Sequence, residues 1–379
     1  MSKTTKVLIV VAAVLFVLVG ALTAVAAYTQ MKQVPEETIP TEVTTEATTE
    51  ATTEATTEAT TEPTTEATTE PPVLYRNPLT GEPLDEPLTN RIFAVSISNI
   101  PDAIPHIGVA DCDMFFEMFI QTGAVRCLAL YTNIAEVPQI GSVRSTRFNF
   151  ADIAKGYDAF IAHAGGSQIV LNYVNKTGVD HKNIDTSTKS QYSFRDTERN
   201  KAGWGFVHCL CVDGPGLVEW AAEKGYRVNH EEEKTYNLNF VDSGALEAGE
   251  TANTININMI YRKNVKLTTM IYDEELGKYV YNQFGKEMVD GKTEEKEAFE
   301  NVFILKVEES YKDNYLVANL LGSGDGYYAC DGRIIPIKWI RENDTDPFTF
   351  TMEDGHPLYQ NVGNSYVNLA PLDSDITWE

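Results

Sequence analysis

The pattern of apolar and polar residues divides the chain into three parts. Residues 7–27 are almost entirely apolar, residues 44–70 repeat Thr, Thr and Glu every four positions, and after Pro71 short apolar runs alternate with polar turns. The first run is long enough to span a bilayer, which takes about 20 apolar residues. The repeat has no large apolar residue whose burial would offset the entropy of ordering it. The pattern therefore predicts a transmembrane anchor over residues 1–28, a disordered stalk over residues 29–72 and a folded head.

Charges beside the apolar run predict its orientation. Lys3 and Lys6 precede the run, and acidic residues follow it. Because positive flanks stay on the cytoplasmic side, we expect the head on the extracytoplasmic side of the cell membrane, held by a single span. A cleaved signal peptide is the alternative, since residues 24–26 (Ala-Val-Ala) resemble a cleavage site. The apolar core of a signal peptide is roughly 7–15 residues long, so the longer run favours a retained anchor.

The first half of the head alternates between strand and helix signals. The apolar spacing predicts helices over residues 150–156, 166–176 and 215–225, and strands over residues 91–100, 113–120, 124–133, 159–163 and 205–212. Strand–helix alternation of this kind is typical of α/β layer structures. We therefore expect an α/β domain over residues 73–232.

The second half of the head shows strand signals almost throughout. The alternation predicts strands over residues 255–261, 265–272, 278–284, 302–307, 315–320, 326–330, 333–339 and 348–352. Asp-Gly pairs, which favour tight hairpins, separate several of them. The glycine-rich residues 322–326 lack the lysine and helix of a phosphate loop, so a hairpin turn is the expected structure there. We expect a mostly antiparallel β domain over residues 233–379, with its boundary in the charged run 230–234.

The charge balance limits the partners of the head. The chain has 55 acidic and 30 basic residues and a net charge of −25; ten of the acidic and three of the basic residues precede Pro71, which leaves −18 for the head. Nucleic acids and anionic membrane surfaces require basic partners, so neither is expected to bind. The five cysteines are an odd number and show no metal-site spacing. No cofactor motif is found, and we expect most of the cysteines to be buried thiols.

Polar residues that suit ligand binding concentrate between residues 141 and 167. Arg144 and Arg147 directly precede a predicted helix, and His163 ends a strand that leads through Gly165, Gly166 and Ser167 into the next helix. Helix-start backbone donors together with guanidinium groups suit a phosphate or carboxylate ligand. The two glycines also allow close approach of the backbone to a ligand. We therefore predict an anion site at these six residues.

Two simpler interpretations compete with this anion site. The arginines fit equally well as internal ion-pair partners of Asp152 or Glu117, and the glycines fit a tight turn between strand and helix. Glu117 itself lies in the apolar run Met-Phe-Phe-Glu-Met-Phe-Ile, where a lone carboxylate has a raised pKa unless it is paired. It is a candidate general acid. A salt bridge to Arg126 on the facing strand is the more favoured interpretation.

Several motifs of the head resemble the YerB-like family of extracytoplasmic lipoproteins of Gram-positive bacteria. The matching stretches are residues 77–83 (NPLTGEP), 113–117 (DMFFE), 126–130 (RCLAL), 140–147 (IGSVRSTR), 157–159 (YDA), 163–167 (HAGGS) and 194–196 (FRD), with Asn301-Val302, Gly322, Gly324, Asp331-Gly332 and Trp339 in the second half. The likeness covers residues 77–378. This chain has Ser142 where the family has proline, and it lacks the lipid-attachment cysteine. The resemblance implies an uncharacterised two-part domain outside the cell and leaves the activity open.

Two functions remain at this stage. In the first, the protein is a non-catalytic envelope module whose α/β domain binds an anionic or cell-wall glycan ligand. In the second, it is an enzyme that cleaves cell-wall glycan with Glu117 as acid/base, since glycan-cleaving enzymes act through carboxyl groups. The sequence does not decide whether the protein is an enzyme. The position of Glu117, in a groove or paired with a cation, distinguishes the two functions.

Overall fold

The computed structural model describes residues 75–121, 123–185, 189–231, 233–246 and 248–379. The described residues belong to one compact unit. The predicted anchor (1–28) and stalk (29–72) lie outside them. Among the helices of the described ranges, none combines the length and the apolar character needed to cross a membrane.

Short strands dominate the first half of the head. They are β1 (Tyr75–Arg76), β2 (Pro83–Leu84), β3 (Phe93–Ser98), β4 (Met114–Gln121), β5 (Ala124–Tyr131), β6 (Ile140–Gly141), β7 (Phe160–His163), β8 (His181–Asn183), β9 (Ser193–Arg195) and β10 (Leu210–Val212). Within the described ranges, four α-helices interrupt them: α1 (Phe148–Gly156), α2 (Gln168–Thr177), α3 (Thr197–Lys201) and α4 (Gly214–Glu223). The same ranges contain three single 3₁₀ turns, at Pro101–Ala103, Ile134–Glu136 and Phe206–His208.

The second half contains strands and no α-helix among its described residues. The strands are β11 (Asn239–Val241), β12 (Glu250–Thr251), β13 (Thr254–Tyr261), β14 (Asn264–Asp273), β15 (Lys278–Gln283), β16 (Lys286–Glu287), β17 (Ala298–Phe299), β18 (Asn301–Val307), β19 (Glu309–Lys312), β20 (Tyr315–Ala318), β21 (Gly322–Cys330), β22 (Arg333–Arg341), β23 (Thr349–Met352), β24 (Tyr359–Asn361), β25 (Ser365–Pro371) and β26 (Asp375–Trp378). The prediction of antiparallel sheets in this half is confirmed.

One large mixed sheet runs through both halves of the head. Its strand order is β12-β22-β21-β18-β25-β4-β5-β3-β7-β8, with β23 added beside β22. The pairs β18–β25, β25–β4, β3–β7 and β7–β8 are parallel, and the remaining neighbours are antiparallel. The first half is thus less helical than the expected α/β domain, because β4, β5 and β3 are antiparallel neighbours without α-helices between them in the sheet. The boundary expected near residue 232 stays a prediction.

Two apolar cores cover the two faces of this sheet. On one face, Phe115 and Phe119 pack with residues of a second sheet of order β16-β15-β14-β13-β26. On the other face, Phe116 and Met118 pack with residues of α1 and α2. Because both faces of β4 are buried, the strand has a nearly continuous apolar sequence instead of an alternating one. Glu117 points toward the first core, between the two sheets.

Two details of the sequence interpretation are tested by the structure. All five cysteines are free and buried, which agrees with the expectation of buried thiols. The hairpin turn expected at residues 322–326 is wrong, because these residues form the start of strand β21. Gly324 is required there because a β-carbon at this position would lie 2.5 Å from the Trp339 indole nitrogen. The glycines make room for an aromatic side chain, as glycines in sheets often do.

Candidate functional site

The segment from Ser142 to Arg147 lies along the edge of strand β3. The Arg144 amide donates to the Ser96 carbonyl (2.8 Å), and the Ser98 amide donates to the Ser142 carbonyl (2.9 Å). On its other side the segment meets the loop that follows β7: Ala164 donates to the Arg144 carbonyl (2.9 Å). The structure therefore brings the two predicted parts of the anion site together.

Three arginines form a cluster at this place: Arg126, Arg144 and Arg147, called the arginine cluster below. Nη1 of Arg126 and Nη1 of Arg147 both donate to the Ser145 carbonyl oxygen, at 2.6 and 3.2 Å. Arg147 also donates to the Thr146 carbonyl (2.7 Å) and lies 5.2 Å from the ring centre of Tyr315. The Nε of each of the three has no acceptor among the described residues.

No carboxylate of the described residues forms an ion pair with the arginine cluster. The two internal partners considered from the sequence are both occupied elsewhere. Asp152 accepts from the Tyr173 hydroxyl (2.5 Å), and Glu117 pairs with Lys266. The charge of Asp185 acts on Arg144, but Asp185 forms its ion pair with Arg195 (2.6 Å). The cluster thus holds three positive charges that the neighbouring protein does not neutralise by direct contact.

Burial and the charges of the neighbouring arginines lower the pKa values of Arg126 and Arg147. Burial lowers the pKa of Arg126 well below its usual range, and the charges of Arg147 and Arg144 lower it further. Burial also lowers the pKa of Arg147 to about 10. An anion bound at the cluster would offset the cost of desolvating the guanidinium groups and would reduce their mutual repulsion.

Two helix starts face the same region. Arg147 immediately precedes α1, and Ser167 immediately precedes α2; neither helix has an acidic residue in its first turn. The Ser167 hydroxyl does not cap its helix, and the hydroxyl oxygens of Ser167 and Thr146 have no partner among the described residues. A β-carbon placed on Gly166 would lie 3.5 Å from Thr146 Cγ2, so the two helix starts are close neighbours. Unpaired backbone donors at helix starts attract anions.

The His163 side chain contacts the backbone of the loop that contains Gly165. It is fully buried; Nδ1 donates to the Gly165 carbonyl (2.8 Å), and Nε2 lies 3.0 Å from Nδ1 of His181. The same Gly165 carbonyl accepts from the Thr146 amide (3.0 Å). Gly165 needs its glycine because its φ is +68°. His163 is therefore placed to position the loop, whereas the sequence had assigned it to ligand contact.

We expect His163 to stay neutral down to mildly acidic pH. Burial, together with the nearby His181, lowers its pKa from 6.5 to about 4. The unfolded chain therefore binds a proton between these pH values and the folded chain does not, so the stability that neutral His163 contributes is lost as pH falls from about 6.5 to 4. The loss is roughly 3 kcal/mol over this range.

The measurement compares the free energy of unfolding of the wild type and of His163→Gln at several pH values. The comparison separates His163 from Asp113, whose pKa burial raises to about 6. A difference between the two proteins that does not change with pH would contradict the buried neutral state.

Glu117 is the centre of a buried polar network between the two sheets. Its Oε1 accepts from Asn99 Nδ2 (2.6 Å), the Tyr281 hydroxyl (3.0 Å) and Lys266 Nζ; its Oε2 accepts from the Thr268 hydroxyl (2.8 Å), the Tyr366 hydroxyl (2.5 Å) and Asn368 Nδ2 (3.2 Å). The expected partner Arg126 is not among these donors. Glu117 is paired with Cys127 in the register of β4 and β5, so Arg126 points to the opposite face.

This environment keeps the Glu117 carboxylate ionised. Burial alone would raise its pKa, but the charge of Lys266 and the surrounding donors outweigh burial, so the pKa lies below its usual value. The side chain has no exposed surface. A general acid needs a proton to give and access to the substrate. The geometry thus provides neither condition for Glu117.

Sequence reasoning missed two groups of residues. Arg126 belongs to the arginine cluster because it donates to the Ser145 carbonyl. This contact depends on the packing across β3, and no local sequence pattern reveals it. Five of the six donors around Glu117 come from β14, β15 and β25, far away in sequence. Lys266 and Thr268 face inward, although the apolar neighbours Val265 and Leu267 are the residues expected inside.

Comparisons with known proteins confirm the resemblance seen in the sequence. Residues 79–227 match the family description "Protein of unknown function (DUF3048) N-terminal domain", and residues 255–367 match the description of its C-terminal domain. The "Putative lipoprotein YerB" of Bacillus subtilis (strain 168) is 26% identical over 304 residues, which are 78% of this chain and 86% of the relative. The crystal structure of the YerB protein from Bacillus subtilis matches with a TM-score of 0.66 and 22% identity, over 80% of this chain and 99% of that one. The solved structure supports the fold alone.

Proposed function

The chain belongs to the DUF3048 family, and we propose that it is a membrane-associated extracytoplasmic protein whose head binds an anionic ligand at the arginine cluster. The observation that carries the proposal is a set of three neighbouring arginines without an ion-pair partner among the described residues, in a head with a strongly negative charge. A buried charge without a partner is costly. A bound anion would supply the missing counter-charge and stabilise the cluster. A free anion and an anionic group on a cell-wall glycan both supply this charge.

The proposed location rests on the N-terminal sequence and on the relative. Residues 7–27 are apolar enough for a single span, and the relative from Bacillus subtilis is named a lipoprotein. This chain has no cysteine before Cys112. We therefore propose attachment through residues 1–28 in place of a lipid, with the head on the extracytoplasmic side of a Gram-positive cell.

The alternative of a glycan-cleaving enzyme finds no support in the surroundings of Glu117. Six side chains donate to its two oxygens, and the carboxylate is closed off from solvent. We propose no catalytic role for it.

Anion binding is tested by titrating the purified full-length chain with pyrophosphate in a calorimeter. We expect saturable binding that weakens by about tenfold or more in Arg144→Gln, because a hydrogen bond to a charged group contributes about 1.5–3 kcal/mol. Arg144 makes no side-chain hydrogen bond in the described structure, so this variant is expected to fold normally. Arg333→Gln, which removes an exposed arginine on β22, is the matched control and should bind as the wild type does. Absence of binding, or equal binding by Arg144→Gln, would refute the proposal.

A further inference from the structure

We propose that the arginine cluster takes a phosphate group with two negative charges, such as a phosphate monoester, in preference to carboxylates and singly charged esters. This inference rests on the proposed function and names the chemistry of its ligand. Three features of the cluster carry it: the number of charges, the arrangement of the guanidinium groups and the donors of the two helix starts.

The number of charges favours a dianion. Arg126 is nine-tenths buried, and Arg147 shares an acceptor with it, so the two positive charges repel each other at short range. The charge of Arg144 adds to this repulsion. A carboxylate or a singly charged ester neutralises one of three charges, and a phosphate monoester neutralises close to two at neutral pH.

The arrangement of the guanidinium groups favours a tetrahedral ligand. Because Arg126 and Arg147 donate to one carbonyl oxygen, their guanidinium groups are close neighbours, and both Nε atoms have no acceptor among the described residues. A planar carboxylate has two oxygens, and one guanidinium fork satisfies both. A phosphate monoester has three terminal oxygens, which allows two forks to bind one group.

The helix starts add donors that suit the same group. The hydroxyls of Thr146 and Ser167 have no partner among the described residues. Thr146 directly precedes Arg147, the N-cap residue of α1, and Ser167 is the N-cap residue of α2. The first turns of these helices present backbone amides that no acidic side chain occupies. Helix starts are ready-made binding sites for phosphate, because their backbone N–H groups point at the anion.

Selectivity is tested with four small probes on the full-length chain at constant ionic strength and pH 7.5. Methyl phosphate is a doubly charged tetrahedral ester, dimethyl phosphate and methyl sulfate are singly charged tetrahedral esters, and acetate is a planar carboxylate. We expect methyl phosphate to bind at least about tenfold more tightly than the other three. Arg144→Gln should reduce this preference, and Arg333→Gln should retain it.

The outcomes separate this inference from the proposed function. If pyrophosphate binds but the singly charged probes match methyl phosphate, the preference for a dianion is wrong and anion binding stands. If no probe and no pyrophosphate binds to the folded chain, both proposals are wrong. Inorganic phosphate, added as a fifth probe, identifies the source: binding tighter than that of methyl phosphate indicates the free ion, and equal binding indicates a phosphate carried on a larger molecule.

Discussion

Glu117→Ala is expected to destabilise the head by about 3–5 kcal/mol, the range for removing one partner of a buried ion pair. The substitution leaves the Lys266 ammonium, which is 8% exposed, without its counter-charge. It also leaves the hydroxyls of Tyr281 and Tyr366 without their shared acceptor between the two sheets. Unfolding in urea, followed by circular dichroism, measures the loss.

Glu309→Gln provides the matched control for this prediction. Glu309 is a partly buried carboxylate on β19, but neither of its oxygens has a donor among the described residues, and burial raises its pKa to about 8. Its neutral form is therefore the folded form at pH 7, and glutamine mimics it. We expect the free energy of unfolding to stay the same or to rise. Similar losses in both variants would show that the network around Glu117 contributes nothing specific.

Arg341→Gln is expected to lower the free energy of unfolding by about 3 kcal/mol or more, whereas Arg144→Gln should leave it unchanged or raise it by a few tenths of a kcal/mol. Arg341 is almost fully buried and donates to the carbonyl oxygens of Asp346 (2.7 Å), Asp152 (2.5 Å) and Asp344 (2.8 Å). The Arg341 guanidinium thus links three backbone carbonyl groups through hydrogen bonds. Arg144 makes no side-chain hydrogen bond or ion pair among the described residues, and its charge acts against Arg126 and Arg147, so its removal relieves repulsion there.

Thermal unfolding of the two variants without ligand measures this contrast. A large loss of stability in Arg144→Gln would mean that Arg144 has a structural partner, and the proposed anion site would then lose its main support. Normal stability in Arg341→Gln would contradict the three backbone bonds assigned to that side chain.

The sequence predicted most of the longer helices and strands to within a few residues, since these follow from local spacing, and it missed many of the short strands. The strand predicted over residues 255–261 is β13 (Thr254–Tyr261), and the helix predicted over residues 166–176 is α2 (Gln168–Thr177). Strands β25 and β26 were missed because polar residues interrupt their apolar pattern. The order of strands in the large sheet was not predictable from local pattern, because it depends on pairing between distant segments.

The site was predictable where its residues are neighbours in sequence and not elsewhere. Arg144, Arg147 and the loop from His163 to Ser167 lie together as expected, because short connections join them. The partner of Glu117 was wrongly predicted as Arg126, because its counter-ion, Lys266, lies 149 positions away. Val265 and Leu267 face outward against the apolar pattern, so the pattern alone would have placed Lys266 at the surface.

The central place of strand β25 has a consequence for how the chain reaches its native state. This strand lies in parallel between β4 and β18 and connects strands from the two halves of the sequence. The ribosome synthesises β25 long after β4, so β4 lacks its neighbour on that side until residues 365–371 have emerged. Contacts of such long sequence separation make folding slow and expose strand edges in the meantime. The centre of the large sheet is therefore completed late, when β25 joins β4 of the first half to β18 of the second and closes the layer between the two cores.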